Sequence, residues 1–209
     1  MARAAIIAPK PFFFATTALT VIAMVWALVE ANYIRLRTVE IAVPRMAAEA
    51  RPIRIAQLTD LHLGMFMGES RLERTLTCVR EAEPDLVVST GDFTDSPPEH
   101  YPHLIAMLAA LSAPLGKFAV TGNHEFFVGL EPATEFHAQA GFRLLRGESV
   151  TIDGRLRLCG VDDPAGLWRG VACYVDEDPV LPPARDAAPT VLLKHQPRIN
   201  EQALGRFDL

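Results

Sequence analysis

The sequence predicts an α/β domain set behind an N-terminal apolar helix, and three observations carry that expectation. Residues 12–31 are apolar apart from Glu30 and a few small polar residues, about the length a helix needs to cross the hydrocarbon core of a bilayer. Three strand-like runs, 53–59, 86–90 and 117–121, recur at roughly thirty-residue intervals, the length of one βαβ unit. Each run ends in a polar cluster: Asp60-Leu61-His62, Gly91-Asp92-Phe93-Thr94-Asp95 and Gly122-Asn123-His124-Glu125. Side by side in a parallel sheet, the three clusters meet at the carboxyl edge, where open α/β sheets place their ligands.

Taken in order, the chain reads as a flank (1–11), a transmembrane helix (12–31), a juxtamembrane linker (32–51) and a globular domain (52–209). Three readings of 12–31 compete: a membrane anchor, a cleaved signal peptide and the core helix of a soluble domain. Length favours the anchor, and Trp26 and Tyr33 suit its interfacial end. Arg3 and Lys10 precede it and Arg35, Arg37 and Arg45 follow it, so basic residues leave the orientation open. In the linker, Pro44 and Pro52 punctuate a mixed-charge stretch, with a short edge strand expected at 38–43.

Within the domain, Ser70 and Glu73 have capping-box spacing, and Leu72, Leu76, Val79 and Ala82 follow on one face, predicting a helix over 71–83. Pro84-Asp85 ends it. A second helix over 103–111 buries Leu104, Leu108 and Leu111, and Pro114-Leu115-Gly116 turns the chain into the third strand. His100 and His103 read as surface residues. A third helix, 132–140, carries His137 as another surface histidine and stops at Gly141. Residues 143–152 and 155–161, joined across Asp153-Gly154, make a hairpin signal, which suggests a second sheet packed beside the first. The Pro-rich segment 162–189, with Trp168 and Tyr174, reads as a substrate-shaping or poorly ordered loop. A last strand, 190–194, leads into His195.

Composition narrows the function. The formal net charge is −5, and no cluster of Lys and Arg offers the basic footprint of a nucleic-acid binder. Cys78, Cys159 and Cys173 form no CxxC pair and no even-numbered disulfide set. No G-x-S-x-G elbow marks an acyl hydrolase. The polar clusters are more specific. In an extended segment Asp60 and His62 face the same side and can reach one ion. Asp92 has two carboxylate oxygens and can bridge that ion to a second, for which Asn123 offers a carbonyl oxygen and His195 an imidazole. Carboxylate, imidazole and amide donors without thiolate suit manganese, iron or zinc. Two such ions neutralise phosphoryl charge and activate water for in-line displacement.

The order D-x-H, G-D-x-x-D, G-N-H-E and a lone His resembles the calcineurin-like metallophosphoesterases, from about residue 53 to the end. That resemblance implies a metallophosphoesterase-like β-sandwich flanked by helices, holding two divalent metal ions (Mn, Fe or Zn). By resemblance Asp60 and His62 hold the first ion, Asp92 bridges, and Asn123 and His195 hold the second. His124 is then no ligand: it contacts the phosphate and protonates the leaving oxygen, with Asp95 orienting it. Gly91 and Gly122 allow tight turns where side chains would crowd the ions.

Family members complete the site with a G-H-x-H motif beyond the lone His, and this chain contains none. The expectation is a domain truncated at its C-terminus, weakly active or inactive as it stands. A membrane segment joined to such a domain resembles single-pass phosphoesterases of the bacterial inner membrane, some of which cleave lipid-linked phosphodiesters or pyrophosphates. Soluble nucleotides are the second substrate class, and a noncatalytic, membrane-tethered binding module that retains the fold is the alternative from outside enzymology. Turnover with manganese, measured with and without an extension carrying G-H-x-H, checks the truncation: full turnover by the short form counts against it.

Overall fold

The structure is a computed structural model that describes residues 9–43, 51–64, 67–184, 188–198 and 200–209. Arg3, Pro44 and Arg45 lie outside these residues. The chain divides into two compact units, Met1–Arg37 and Thr38–Leu209.

Among its described residues the first unit holds one helix, α1 (Pro9–Asn32), apolar on every side and exposed from residue 10 to residue 33. Its span Lys10–Asn32 has a mean hydropathy of 2.2, long and apolar enough to cross a membrane. Two of its threonines bond back to the helix's own carbonyls, which suits apolar surroundings. The Thr16 and Thr20 hydroxyls donate back to the carbonyls of Phe12 and Thr16, at 3.0 and 2.9 Å. Residues 38–43, expected as an edge strand, form none: they are mostly exposed and no described strand pairs with them.

The second unit begins with a four-stranded parallel sheet in sequential order: β1 (Ile55–Leu58), β2 (Leu86–Ser89), β3 (Lys117–Ala119) and β4 (Arg143–Leu144). Between them run α2 (Glu69–Glu81), α3 (Pro102–Ala109), α4 (Asn123–Val128) and α5 (Leu130–Gln139). Right-handed crossovers that always step the same way put their helices on one face of the sheet. Accordingly, Leu72, Leu76 and Val79 of α2, Leu104 and Leu108 of α3, and Phe136 of α5 share a core with Val87 and Ala119.

The opposite face is left for a second sheet: β5 (Glu148–Ile152) antiparallel to β6 (Leu156–Gly160), which pairs in parallel with β7 (Thr190–Leu193). Leu86, Val88, Phe118 and Val120 meet Ile152, Leu158, Val191 and Leu193 between the two sheets. All four residues of β2 are therefore buried. The architecture is an α/β sandwich with helices on one outer face.

Three local expectations change. Helix α2 starts at Glu69 behind an N-cap Gly68 with no side-chain cap, so Ser70 sits inside the first turn and Glu73 bonds to Arg80 at 3.0 Å instead of closing a capping box. The run 143–152 is not one strand: β4 joins the first sheet, and Gly147 (φ +65°) breaks the chain before β5 joins the second. The loop 162–189 carries a short helix, α6 (Ala165–Trp168), held by the hydrogen bonds of Asp162 and Asp163; residues 185–187 of it lie outside those described.

Gly160 sits where the sheets touch. A Cβ there would stand 2.5 Å from Leu145 Cβ and 2.9 Å from Val120 Cγ1. Gly160→Ala should therefore cost about 1–3 kcal/mol by overpacking, read as a lower urea midpoint with an unchanged m-value.

Candidate metal centre

The polar clusters follow the ends of β1, β2 and β3, and backbone bonds stitch the first to the second. Asp60 N–H donates to Gly91 O at 3.1 Å, His62 N–H to Asp92 O at 3.1 Å and Leu63 N–H to Phe93 O at 2.9 Å. Asp60, His62 and Asp92 all have left-handed backbones, with φ of 51°, 45° and 55°. The first two are thus not neighbours on an extended strand; left-handed turns, rather than strand alternation, bring them to one ion-sized space. Gly91 (φ +103°) and Gly122 face each other so closely that a Cβ on Gly91 would lie 2.4 Å from Gly122 N. At Gly122 the backbone is extended (φ −99°), and the demand is closeness: a Cβ would lie 2.2 Å from Asp92 Oδ1. What these glycines accommodate is the other motif's backbone and Asp92.

The second and third turns are joined by a side chain that the motif reading left without a role. Glu125, in the first turn of α4, is fully buried and accepts N–H donors from Asp92 (3.0 Å), Phe93 (2.9 Å) and Gly122 (2.7 Å). Behind it lies His137, expected at the surface and instead completely buried, its ring packed on Phe93, Phe136 and Phe142. Helix α5 covers the sheet, and the face holding Ala133, Phe136 and His137 is the inward one. His137 Nε2 stands 3.6 Å from Glu125 Oε1, an ion-pair rather than a hydrogen-bond distance. Burial pushes the Glu125 carboxyl up, but His137 and the N–H groups of Phe93 and Gly122 outweigh it and hold the carboxyl below its ordinary value.

All seven residues singled out from the sequence gather at this edge. Asp92 Oδ1 accepts His124 N–H at 2.9 Å, and its Oδ2 lies 3.5 Å from His195 Nε2 and 3.8 Å from His62 Nε2. His62 Nε2 is also 3.9 Å from Asp60 Oδ1. One oxygen, Asp95 Oδ1, meets two imidazoles: His124 Nδ1 at 2.6 Å and His62 Nδ1 at 2.8 Å. His195 Nδ1 donates to the Thr90 carbonyl at 2.8 Å, and its Nε2 lies 3.2 Å from Asn123 Oδ1. Desolvation disfavours a charged His62, yet the hydrogen bond and charge of Asp95, with the charges of Asp92 and Asp60, prevail and raise its pKa. Burial raises that of Asp92, against the His124 N–H and the charge of His195.

This donor set fits divalent metal. One atom each from Asp60, Asp92 and His195 lies within 4.8 Å of the others, as does one each from His62, Asp92 and His124. Two donors bound about 2.0–2.2 Å from one ion stand roughly 3–4 Å apart, the range of the Asp92, His62, Asp60 and His195 separations. In neutral His195 the Nδ1 proton is committed to Thr90, so Nε2 and Asn123 Oδ1 face each other as two acceptors, which a cation between them reconciles. Fixing a ring by its far nitrogen is how proteins orient metal-binding histidines.

Comparison with known proteins agrees with this chemistry. Residues 53–200 match the family model for the calcineurin-like phosphoesterases. A protein of Aquifex aeolicus described as an uncharacterized metallophosphoesterase is 43% identical over 157 residues, 75% of this chain and 60% of that one. A Danio rerio transmembrane protein with metallophosphoesterase domain is 32% identical over 180 residues, 79% of this chain and 40% of its own length. The Pseudomonas putida nuclease MPE structure aligns with 66% of this chain and 60% of that one, at 16% identity and a TM-score of 0.36. The chain spans 40–60% of the length of the two curated relatives. Motifs, fold and family match agree: the chain belongs to the calcineurin-like phosphoesterases, a family of metal-dependent hydrolases.

Proposed function

We propose that the domain hydrolyses phosphodiester or pyrophosphate bonds at a two-ion centre, and that its substrates are lipid-linked. The observation that carries the two-ion reading is the position of Asp92, whose Oδ2 is within reach of both His62 Nε2 and His195 Nε2, at 3.8 and 3.5 Å. Asp60, His62 and Asp92 would hold one ion, and Asp92, Asn123 and His195 the other. Bound there, two divalent ions supply charge neutralisation on the phosphoryl oxygens and a nucleophile from water. The rest is done by the chain. Asp95 accepts the Nδ1 proton of His124, which leaves Nε2 to hand a proton to the departing oxygen. His124 is one-third exposed, enough to reach a substrate.

Lipid-linked substrates are supported by the membrane-length helix and by the surface next to His124. Phe127 is half exposed with its ring 5.3 Å from that of His124, and Arg169 lies over the Phe127 ring at 6.0 Å. Leu167 and Trp168, on α6, are 56% and 78% exposed. An aromatic and aliphatic rim with one cation suits an apolar chain attached to a phosphate. The name of the Danio rerio relative, a transmembrane protein, points the same way.

Three outcomes check the proposal. Manganese titration should count two ions per wild-type chain, and Asp92→Asn should abolish binding of at least one; one ion in the wild type defeats the two-ion reading. His124→Ala should slow hydrolysis of alkyl phosphodiesters by about 10²–10⁴-fold but that of p-nitrophenyl esters much less, because a good leaving group needs no proton; equal losses count against the acid role. Trp168→Ser should lower kcat/KM about tenfold more for a lipid pyrophosphate in micelles than for a soluble diester; an equal effect on both removes the rim from substrate binding.

A further inference from the structure

Behind the second set of donors lies a buried pair of carboxylates that the proposed chemistry does not use. We infer that Asp162 and Asp163 are positioning residues that brace Asn123 and His195 against each other, and so tune the second ion separately from the first. This rests on the two-ion reading above.

The brace follows from strand pairing. Gly160 of β6 is paired with Leu193 of β7, and Val161 N–H still reaches Leu193 O at 3.3 Å. Two residues further along each strand, Asp162 and Asp163 therefore run beside His195 and Gln196. Asp163, 1% exposed, accepts from Gln196 Nε2 at 2.9 Å with Oδ2, and with Oδ1 from Ala165 N–H at 2.8 Å. Gln196 is the residue directly after His195.

On the other side is Thr121, buried at the end of β3 and two residues before Asn123. Its hydroxyl donates to Asp162 Oδ1 at 2.9 Å and accepts Asp163 N–H at 3.0 Å. Asp162, wholly buried, is neutralised by a two-pronged contact from Arg146, at 3.0 and 2.9 Å. The network thus runs unbroken from the segment carrying Asn123, in one sheet, to the segment carrying His195, in the other.

Asp60 and His62, the donors that belong to the first ion alone, have other supports among the described bonds. Asp60 and His62 are held by the backbone of Gly91 and Asp92 and by Asp95. A buried carboxylate that meets neutral amides is expensive to keep, and the Asp163 carboxylate takes its two hydrogen bonds from the Gln196 amide and the Ala165 N–H. Its place is explained if it fixes a distance: Asn123 Oδ1 and His195 Nε2 stay 3.2 Å apart, and an ion entering between them has little side-chain freedom to remove.

The test uses the full chain and manganese alone, titrated by calorimetry. Gln196→Leu cuts the link at similar volume, and should weaken the second ion about 10–100-fold, as loss of a supporting hydrogen bond does, with the first unchanged. Gln196→Glu should weaken the second ion further by setting two carboxylates together. Adding Asp163→Asn to it restores the contact with polarity reversed, since the Asn amide donates to Glu while its oxygen keeps the Ala165 N–H, and should recover most of the lost affinity. Recovery in the double variant separates positioning from a general loss of folding. Equal weakening of both ions, no weakening, or no recovery overturns the brace. A wild type that binds only one ion overturns the two-ion reading and the brace with it.

Discussion

A single buried carboxylate organises the site. Glu125 collects the N–H groups of Asp92, Phe93 and Gly122, which belong to two turns from two different strands, and so locks Asp92 to the glycine that its own side chain touches. Burying an unpaired carboxylate would be strongly unfavourable. Here three backbone donors and the nearby His137 offset that cost and favour the charged form, as the lowered pKa of Glu125 records. Because the donors are main-chain groups, the constraint falls on backbone position, and backbone position aims Asp92.

The same edge concentrates conformational strain. Five described residues other than glycine have left-handed backbones; Glu83 and Asp153 lie in turns, and the other three are Asp60, His62 and Asp92. Such residues cost about 1–3 kcal/mol each and persist only where surroundings over-determine them. The surroundings here are the cross-turn bonds from Asp60, His62 and Leu63 to Gly91, Asp92 and Phe93. A chain relaxed into ordinary strand geometry would send Asp60 and His62 elsewhere, so the strain is a condition of bringing their side chains together.

How much of this could be read from the sequence follows from which signals are local. Helices α2, α3 and α5 were legible because burial has a period, as Leu72, Leu76 and Val79 on the buried face of α2 show; α4 and α6, too short to carry one, were not. The three turns were legible because their residue types are rare in that order. Non-local events were not. His137 is polar by residue type, and only the packing of α5 on Phe93 and Phe142 shows why an imidazole lies in the core. The run 143–152 alternates like a single strand, and its division between two sheets is marked only by Gly147, where a Cβ would strike Tyr174 at 2.4 Å. Ser70 and Glu73 had the right spacing for a cap, but Gly68, already extended, starts the helix ahead of Ser70. Glu125 stood in plain view beside Asn123 and His124; its three acceptor contacts could not be inferred from its neighbours.

The two halves of the site also differ in what they demand of the fold. Asp60, His62 and Asp92 all stem from the first sheet, and their relation is set by turns only a few residues long. Asn123 and His195 stem from different sheets, so the gap between them depends on how Val88, Phe118 and Val120 pack on Leu158, Val191 and Leu193. Interiors are close-packed and resist small displacements, which makes an inter-sheet core a firm but long-range ruler. The Asp162–Asp163 network shortens that ruler to a few hydrogen bonds beside the donors themselves. A perturbation that opens the sandwich should therefore reach the Asn123–His195 pair before it reaches Asp60 and His62.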